Sequence, residues 1–397
     1  MSYAYKCMEG IIMGKIKRTI IKISTIAMMS LALFSCSNQQ EKNISINKSE
    51  LSVLSDFQEV KSQKEKLIVE EINIPIPENC NVNSFCVYKD KVYYSIEFGD
   101  YLTGQMEIGG KEIAFEEKYN TQIRVFHIGT KEDEILYQYK ENECVSVSDI
   151  QSNGTEVIWE EYKNGAWNIR LVLEDEVVEE PLVVVSQQND GEQMENITLT
   201  IVEDGFYWYD QNENEENPIS LHKYDFNKQE HVVKEKNLAL KSPYEHVNIH
   251  NEIKSLYTEK ENNRTIIQIC ENQNNVNLET DIEVSSPIAN EKLCIWMKGY
   301  DYHERQELYC FDREKQTAYC IPTAYTFAYE VLGDMILLNQ ENEIVCYDIK
   351  NMERTTLTEG GKGYGFLFAG IEGNIYAEIF DSNEESEELH IINIKAK

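Results

Sequence analysis

The sequence predicts an all-β fold: a seven-bladed β-propeller of four-stranded antiparallel blades, its last blade closed by an N-terminal strand. Three observations predict it. A strand–turn–strand unit with an aromatic-rich second strand recurs about seven times. An aromatic–Asp pair followed by a short turn recurs downstream of it. No segment after residue 66 carries a sustained 3.6-residue apolar period, the mark of an amphipathic helix.

The second strands of the repeated unit begin near Val92, Val157, Phe206, Ser255, Leu293, Met335 and Ile375, a spacing of roughly 40–65 residues that suits propeller blades. Gly, Asn and Asp fill the turns before them, as in Ser152-Asn153-Gly154 and Glu203-Asp204-Gly205, because these residues accept hairpin backbone angles. The downstream unit reads Tyr224-Asp225, Phe311-Asp312 and Tyr347-Asp348, with a looser copy from Phe126 to Leu136. An Asp at a strand end can accept backbone N–H groups of the turn that follows. The seven prolines are expected to fall outside the strand centres, where a missing N–H would break the ladder. Six or eight blades, or a pair of β-sandwiches, are the competing arrangements.

Ring closure follows from the two ends. Glu388–Lys395 supplies a third strand and then the chain stops, while residues 67–74 form a strand with no partner of their own. Pairing them satisfies backbone groups that an open edge would leave bare.

The N-terminus carries an address. Lys15, Lys17, Arg18 and Lys22 precede a largely apolar run from Ile23 to Phe34, and Met13 is a more natural start for such a segment than Met1. The run is too short to span a bilayer core of about 30 Å. Leu33-Phe34-Ser35-Cys36 follows and resembles a bacterial lipobox, which implies diacylglycerol on Cys36 and a protein anchored to a membrane on its extracytoplasmic side. The domains expected are a signal peptide over 1–35, a lipidated Cys36 with a polar tether over 36–66, and a propeller over 67–397. Leu51, Val53, Leu54 and Phe57 could give the tether one or two amphipathic helical turns.

Charge narrows the partners. The chain holds 37 Lys and Arg against 70 Asp and Glu, net −33, and removal of residues 1–36 leaves 32 against 69, net −37. Such a surface repels phosphate, so no nucleic-acid partner is expected.

Together the repeat and the N-terminus resemble the lipid-anchored β-propeller proteins of bacteria, of the TolB-like and WD types, over about residues 67–394. The resemblance implies the fold and leaves the ligand open. The WD dipeptide and the sialidase Asp box are missing.

The search for catalytic motifs is negative. HExxH, GxSxG and GxxxxGK[ST] do not occur, and in Gly360–Gly365 the lysine is followed by Gly. Asp210–Glu216 alternates oxygen side chains, but Glu215 and Leu221 stand where a helical calcium loop needs Gly and Glu. No cofactor and no metal are expected. Apart from Cys7 and Cys36, eight cysteines are spread without a CxxC; those in apolar strands suit buried thiols, and Cys310 with Cys320 is the one pair that could bridge a hairpin.

The leading functional reading is a non-catalytic binding protein for a protein, peptide or glycan. In a propeller, loops joining second to third strands share a face with loops joining blades, and here those are the long ones. Tyr101, Trp167, Tyr300, Asp301, Tyr302, His303, Tyr325 and Tyr364 fall near that face and are the candidate ligand-binding residues. The alternative is a glycan-active hydrolase or lyase with paired carboxylates among Glu97, Asp100, Asp301 and Glu304.

Overall fold

The computed structural model describes residues 40–61, 65–78, 80–98, 106–108, 111–113, 120–140, 143, 145–174, 180–188, 199–211, 219–238, 247–250, 253–260, 264–271, 274–298, 306–324, 326–358, 362–380 and 388–397. They form seven antiparallel sheets arranged as a propeller, each read here from the axis outward. Blade one is Cys80–Tyr88, Lys91–Phe98, Asn120–His127 and Asp133–Gln138. Blade two is Val145–Ser152, Glu156–Lys163, Ala166–Leu173 and Leu182–Gln188. Blade three is Thr200–Val202, Gly205–Gln211, Ile219–Asp225 and Glu230–Leu238. Blade four is Val247–His250, Ile253–Lys260, Arg264–Glu271 and Asn274–Thr280. Blade five is Ser285–Ala289, Leu293–Met297, Gln306–Asp312 and Thr317–Thr323. Blade six is Thr326–Leu332, Met335–Gln340, Glu343–Asp348 and Glu353–Thr356. Blade seven has its first strand in two pieces, Gly363–Tyr364 and Phe368–Ala369, then Ile375–Phe380 and Glu388–Ala396. Its outermost strand comes from the other end of the chain: Leu67–Pro75 pairs antiparallel with Glu388–Ala396, setting Ile74 against Leu389 and Ile72 against Ile391.

The second strands carry the apolar runs because neighbouring blades cover them on both faces. All residues of Leu293–Met297 and of Met335–Gln340 are buried. The recurring Asp forms the turn expected of it. The N–H groups of Lys228, Lys315 and Asn351 donate to Asp225, Asp312 and Asp348 at 2.9, 2.8 and 2.9 Å. One residue further on, Gln229, Gln316 and Met352 all take positive φ, 53° to 55°, which closes each turn into the fourth strand.

The stretch expected to be a polar tether is instead a strap on the outside of three blades. Gln40–Ile46 pairs in parallel with Asn274–Thr280 of blade four, Ser52–Val53 with Tyr319 and Cys320 of blade five, and Gln58–Glu59 with Glu353 and Arg354 of blade six. A single 3-10 turn, Lys48–Glu50, replaces the expected helical turns. The reason lies in the spacing of apolar side chains. Ile46 and Leu51 pack on the core between blades four and five, and Leu54 and Phe57 on that between five and six, so the apolar residues follow successive blades and no one helix face. Lys48 adds an ion pair to Glu307 at 2.7 Å.

Among the described residues every cysteine is a free thiol. The Cys310–Cys320 bridge does not form because the register is off by one: Cys310 faces Tyr319 and Cys320 faces Tyr309, which puts the two thiols on opposite faces of the sheet. No helix among the described residues is long and apolar enough to cross a membrane.

Candidate functional site

Five of the seven innermost strands are irregular. Register shifts occur between Val82 and Ser84 in blade one, Ser148 and Gln151 in blade two, Ser285 and Ile288 in blade five, and Thr326 and Ala328 in blade six. In blade seven the first strand breaks between Tyr364 and Phe368. A bulge takes a residue out of the ladder and re-aims its side chain. Asp149 and Ser286 sit in such bulges at φ 46° and 44°.

These strands enclose an axial cavity of about 1700 Å³. Its wall runs from Val82 and Gly365, early in the first strands, to the first turns of blades one, two, three and seven at Lys89, Asn153, Glu203 and Gly370. Asp149 reaches across to blade three, accepting hydrogen bonds from the Leu199 N–H at 2.7 Å and from the Gln151 amide at 2.9 Å. Gln151 in turn accepts from the Ile201 N–H and donates to the Leu199 carbonyl. This seam offsets the strain of a non-glycine residue at positive φ. Burial raises the Asp149 carboxyl above the ordinary range, against the lowering effect of those two hydrogen bonds. Glu330, 5% exposed, is pushed up by burial to about 8; the Val331 N–H, at 3.2 Å, counters weakly. Burial also raises Glu378.

An aromatic group shares the wall. The ring of Phe85 lies 6.3 Å from Phe368 and 5.7 Å from Tyr376, and Phe368 stacks on Tyr376 at 5.7 Å. Burial holds the Tyr376 phenol well above its usual value, and the charges of Asp149 and Glu330 add to this. Gly154, at φ 86°, lets the turn of blade two approach blade one: a Cβ there would meet the Tyr88 ring at 2.1 Å.

No family model matches the chain, and no curated protein matches it in sequence. Among solved structures, the chain is similar to the β-propeller domain of the Trilobed protease from Pyrococcus furiosus, at TM-score 0.54 and 9% identity, over 78% of this chain and 95% of that one. The likeness is one of fold. That domain is described as having an open velcro topology; here an N-terminal strand closes the ring. Pyrococcus horikoshii acylaminoacyl peptidase matches at TM-score 0.48 and 9% identity, over 76% of this chain and 49% of that one. A chain of the mitotic checkpoint complex matches at TM-score 0.48 and 10% identity, over 87% and 98%.

Of the residues singled out from sequence, Tyr101, Tyr300, Asp301, Tyr302, His303 and Tyr325 lie outside the described residues, as do Asp100 and Glu304 and most of the Asp210–Glu216 loop. Trp167 is described, at the tight turn between the second and third strands of blade two. It is half-buried, packs on Tyr162 at 5.2 Å, and its indole N–H has no hydrogen-bond partner among the described residues. Tyr364, at 5% exposure, belongs to the core between blades six and seven. Glu97 is buried within the second strand of blade one. The loop of blade one carries a small hairpin, Met106–Ile108 with Lys111–Ile113.

Sequence reasoning missed the axial residues Asp149, Glu330 and Tyr376. A usable signal was present in Ala328-Tyr329-Glu330-Val331-Leu332, where an acid interrupts an apolar strand. It also missed that His222 and His231 meet at 2.6 Å beside Trp208. Among the described residues no cluster of His, Cys, Asp and Glu is arranged to hold a metal ion.

Proposed function

We propose that this protein is an extracytoplasmic binding propeller, anchored by lipid on Cys36, which presents one face to a protein, peptide or glycan and performs no chemistry of its own. The observation that carries the reading is the start of the strap. Gln40 pairs with Asn274, the first residue of the outermost strand of blade four, on the face formed by the turns within each hairpin. Four Cα-to-Cα steps lead from Cys36 to Gln40, a reach of at most ~14 Å. A lipid on Cys36 therefore brings that turn face to the bilayer. The opposite face, with the long loops after Phe98, Gln211, Met297 and Phe380, points outward, where a partner can dock.

The test has two parts. Cys36→Ser should abolish labelling by radioactive fatty acid and move the protein from the membrane to the soluble fraction. In the membrane-bound protein, an amine-reactive reagent should modify Lys298, on the outward face, faster than Lys350, in a hairpin turn of blade six. Unchanged labelling of the Ser variant removes the anchor, and equal lysine rates remove the orientation.

A further inference from the structure

The axial cavity takes no part in the reading above, which rests on the outer faces. We propose that this cavity is a binding site for an organic ammonium, the charged amine of a free polyamine or of a basic peptide side chain, received by the carboxylate of Glu330 beside the rings of Phe85, Phe368 and Tyr376. The proposal does not depend on lipid at Cys36.

Four observations carry it. Glu330 is 5% exposed and lines the cavity, yet among the described residues the Val331 N–H is the one donor to its carboxylate. A carboxylate so placed has lost its water without gaining a cation, and burial accordingly favours its protonated form. An arriving ammonium would supply the missing charge and the missing donors.

The second observation is the sign of the wall. Among the described residues of the wall, seven carry carboxyl groups and Lys89 is the only basic one. Lys89 is already engaged, with Glu372 at 3.4 Å and over the Tyr88 ring at 4.7 Å. An anionic ligand would meet repulsion on every side; a cationic one would not.

Third, two rings of the wall are open where core aromatics elsewhere are closed. Phe366 is 56% exposed and Phe368 44%, both at the cavity wall, while Trp159, Trp208 and Trp296 are all fully buried. Ring faces attract an ammonium through their quadrupole, and the methylenes that carry the amine gain apolar contact on the same rings.

The fourth is convergence. The charges of both Asp149 and Glu330 act on the Tyr376 phenol, so carboxylates from blades two and six and rings from blades one and seven meet at one place. The cavity exceeds the roughly 300–1,000 Å³ of a usual small-molecule pocket, so an extended amine or a peptide side chain with part of its backbone can enter.

The experiment is calorimetric titration of the full-length chain at about 150 mM salt, which screens loose surface association. The probes are spermidine and a tri-lysine peptide with blocked termini; a tri-glutamate peptide is the control. One site per chain is expected, weakened at least about tenfold in Glu330→Gln and in Phe368→Ala and unchanged in Glu283→Gln, an exposed acid between blades four and five. Binding of spermidine alone assigns the site to free amines, and binding of tri-lysine alone to peptides. Heat from neither probe overturns the proposal. So does binding at many equivalent sites that Glu330→Gln leaves unchanged. If Glu330→Gln unfolds at a much lower temperature, Phe368→Ala decides, since its ring is partly exposed.

Discussion

Ile74 and Leu389 face each other across the seam that closes the ring, at 0% and 3% exposure, although 315 positions separate them in the chain. Nine register pairs hold this seam, from Glu388–Pro75 to Ala396–Leu67. Ile74→Ala should therefore cost ~2–5 kcal/mol, read as a lower urea midpoint with an unchanged slope. Deletion of residues 37–75 should leave Glu388–Ala396 as a bare edge and give aggregates in size-exclusion chromatography. A monomeric, equally stable deletion product would refute the closure.

The strap should contribute in smaller steps. Phe57 meets Tyr347 edge-on at 5.0 Å and is half-buried. Phe57→Ala should lower stability by about 1–3 kcal/mol, less than a fully buried aromatic because part of the ring is already in water. A melting temperature equal to that of the parent would mean that the strap does not hold to blade six in solution.

Glu330 makes stability depend on pH in an unusual direction. Its carboxyl holds a proton in the folded protein up to about pH 8 but loses it near the ordinary carboxylate value once unfolded. Between those values the folded state binds the extra proton, so stability contributed here is full below about pH 4 and falls as pH rises toward 8. Glu330→Gln removes that slope. Urea unfolding at pH 5, 6, 7 and 8 should show the variant gaining on the parent at each step, by a few kcal/mol in all. Parallel curves would show that the carboxyl titrates normally.

Blade two contains a buried ion pair of the opposite character, its carboxylate held by several donors. Glu161, at 0% exposure, accepts from Arg170 at 2.8 Å, from the Tyr139 hydroxyl at 2.7 Å and from the Asn168 amide at 3.0 Å. The Tyr139 oxygen accepts in turn from the Trp159 indole at 2.9 Å. Glu161→Ala should destabilise by ~3–5 kcal/mol because it strands the Arg170 guanidinium. The double variant Glu161→Ala, Arg170→Ala should recover part of that loss in a double-mutant cycle; strict additivity would show that the two do not couple.

The sequence by itself determined the repeat. Period-two apolar strands, hairpin glycines and the Asp that accepts turn N–H groups are local features, so Asp225, Asp312 and Asp348 announced their turns without any knowledge of the fold. The spare strand at one end and the missing strand at the other likewise fixed the pairing of residues 67–74 with the last blade, because unpaired backbone must find a partner. Only the tertiary structure decided where residues 40–60 lie, since their apolar side chains are spaced to meet three different blades and follow no single helix or strand period. The axial cavity was hidden for a related reason. Asp149, Glu330, Phe368 and Tyr376 come from three blades spread over more than two hundred residues, and bulges in the innermost strands turn the wall toward the axis. A bulge shifts register by a single residue, which leaves almost no mark on composition or period but decides which side chains face the channel.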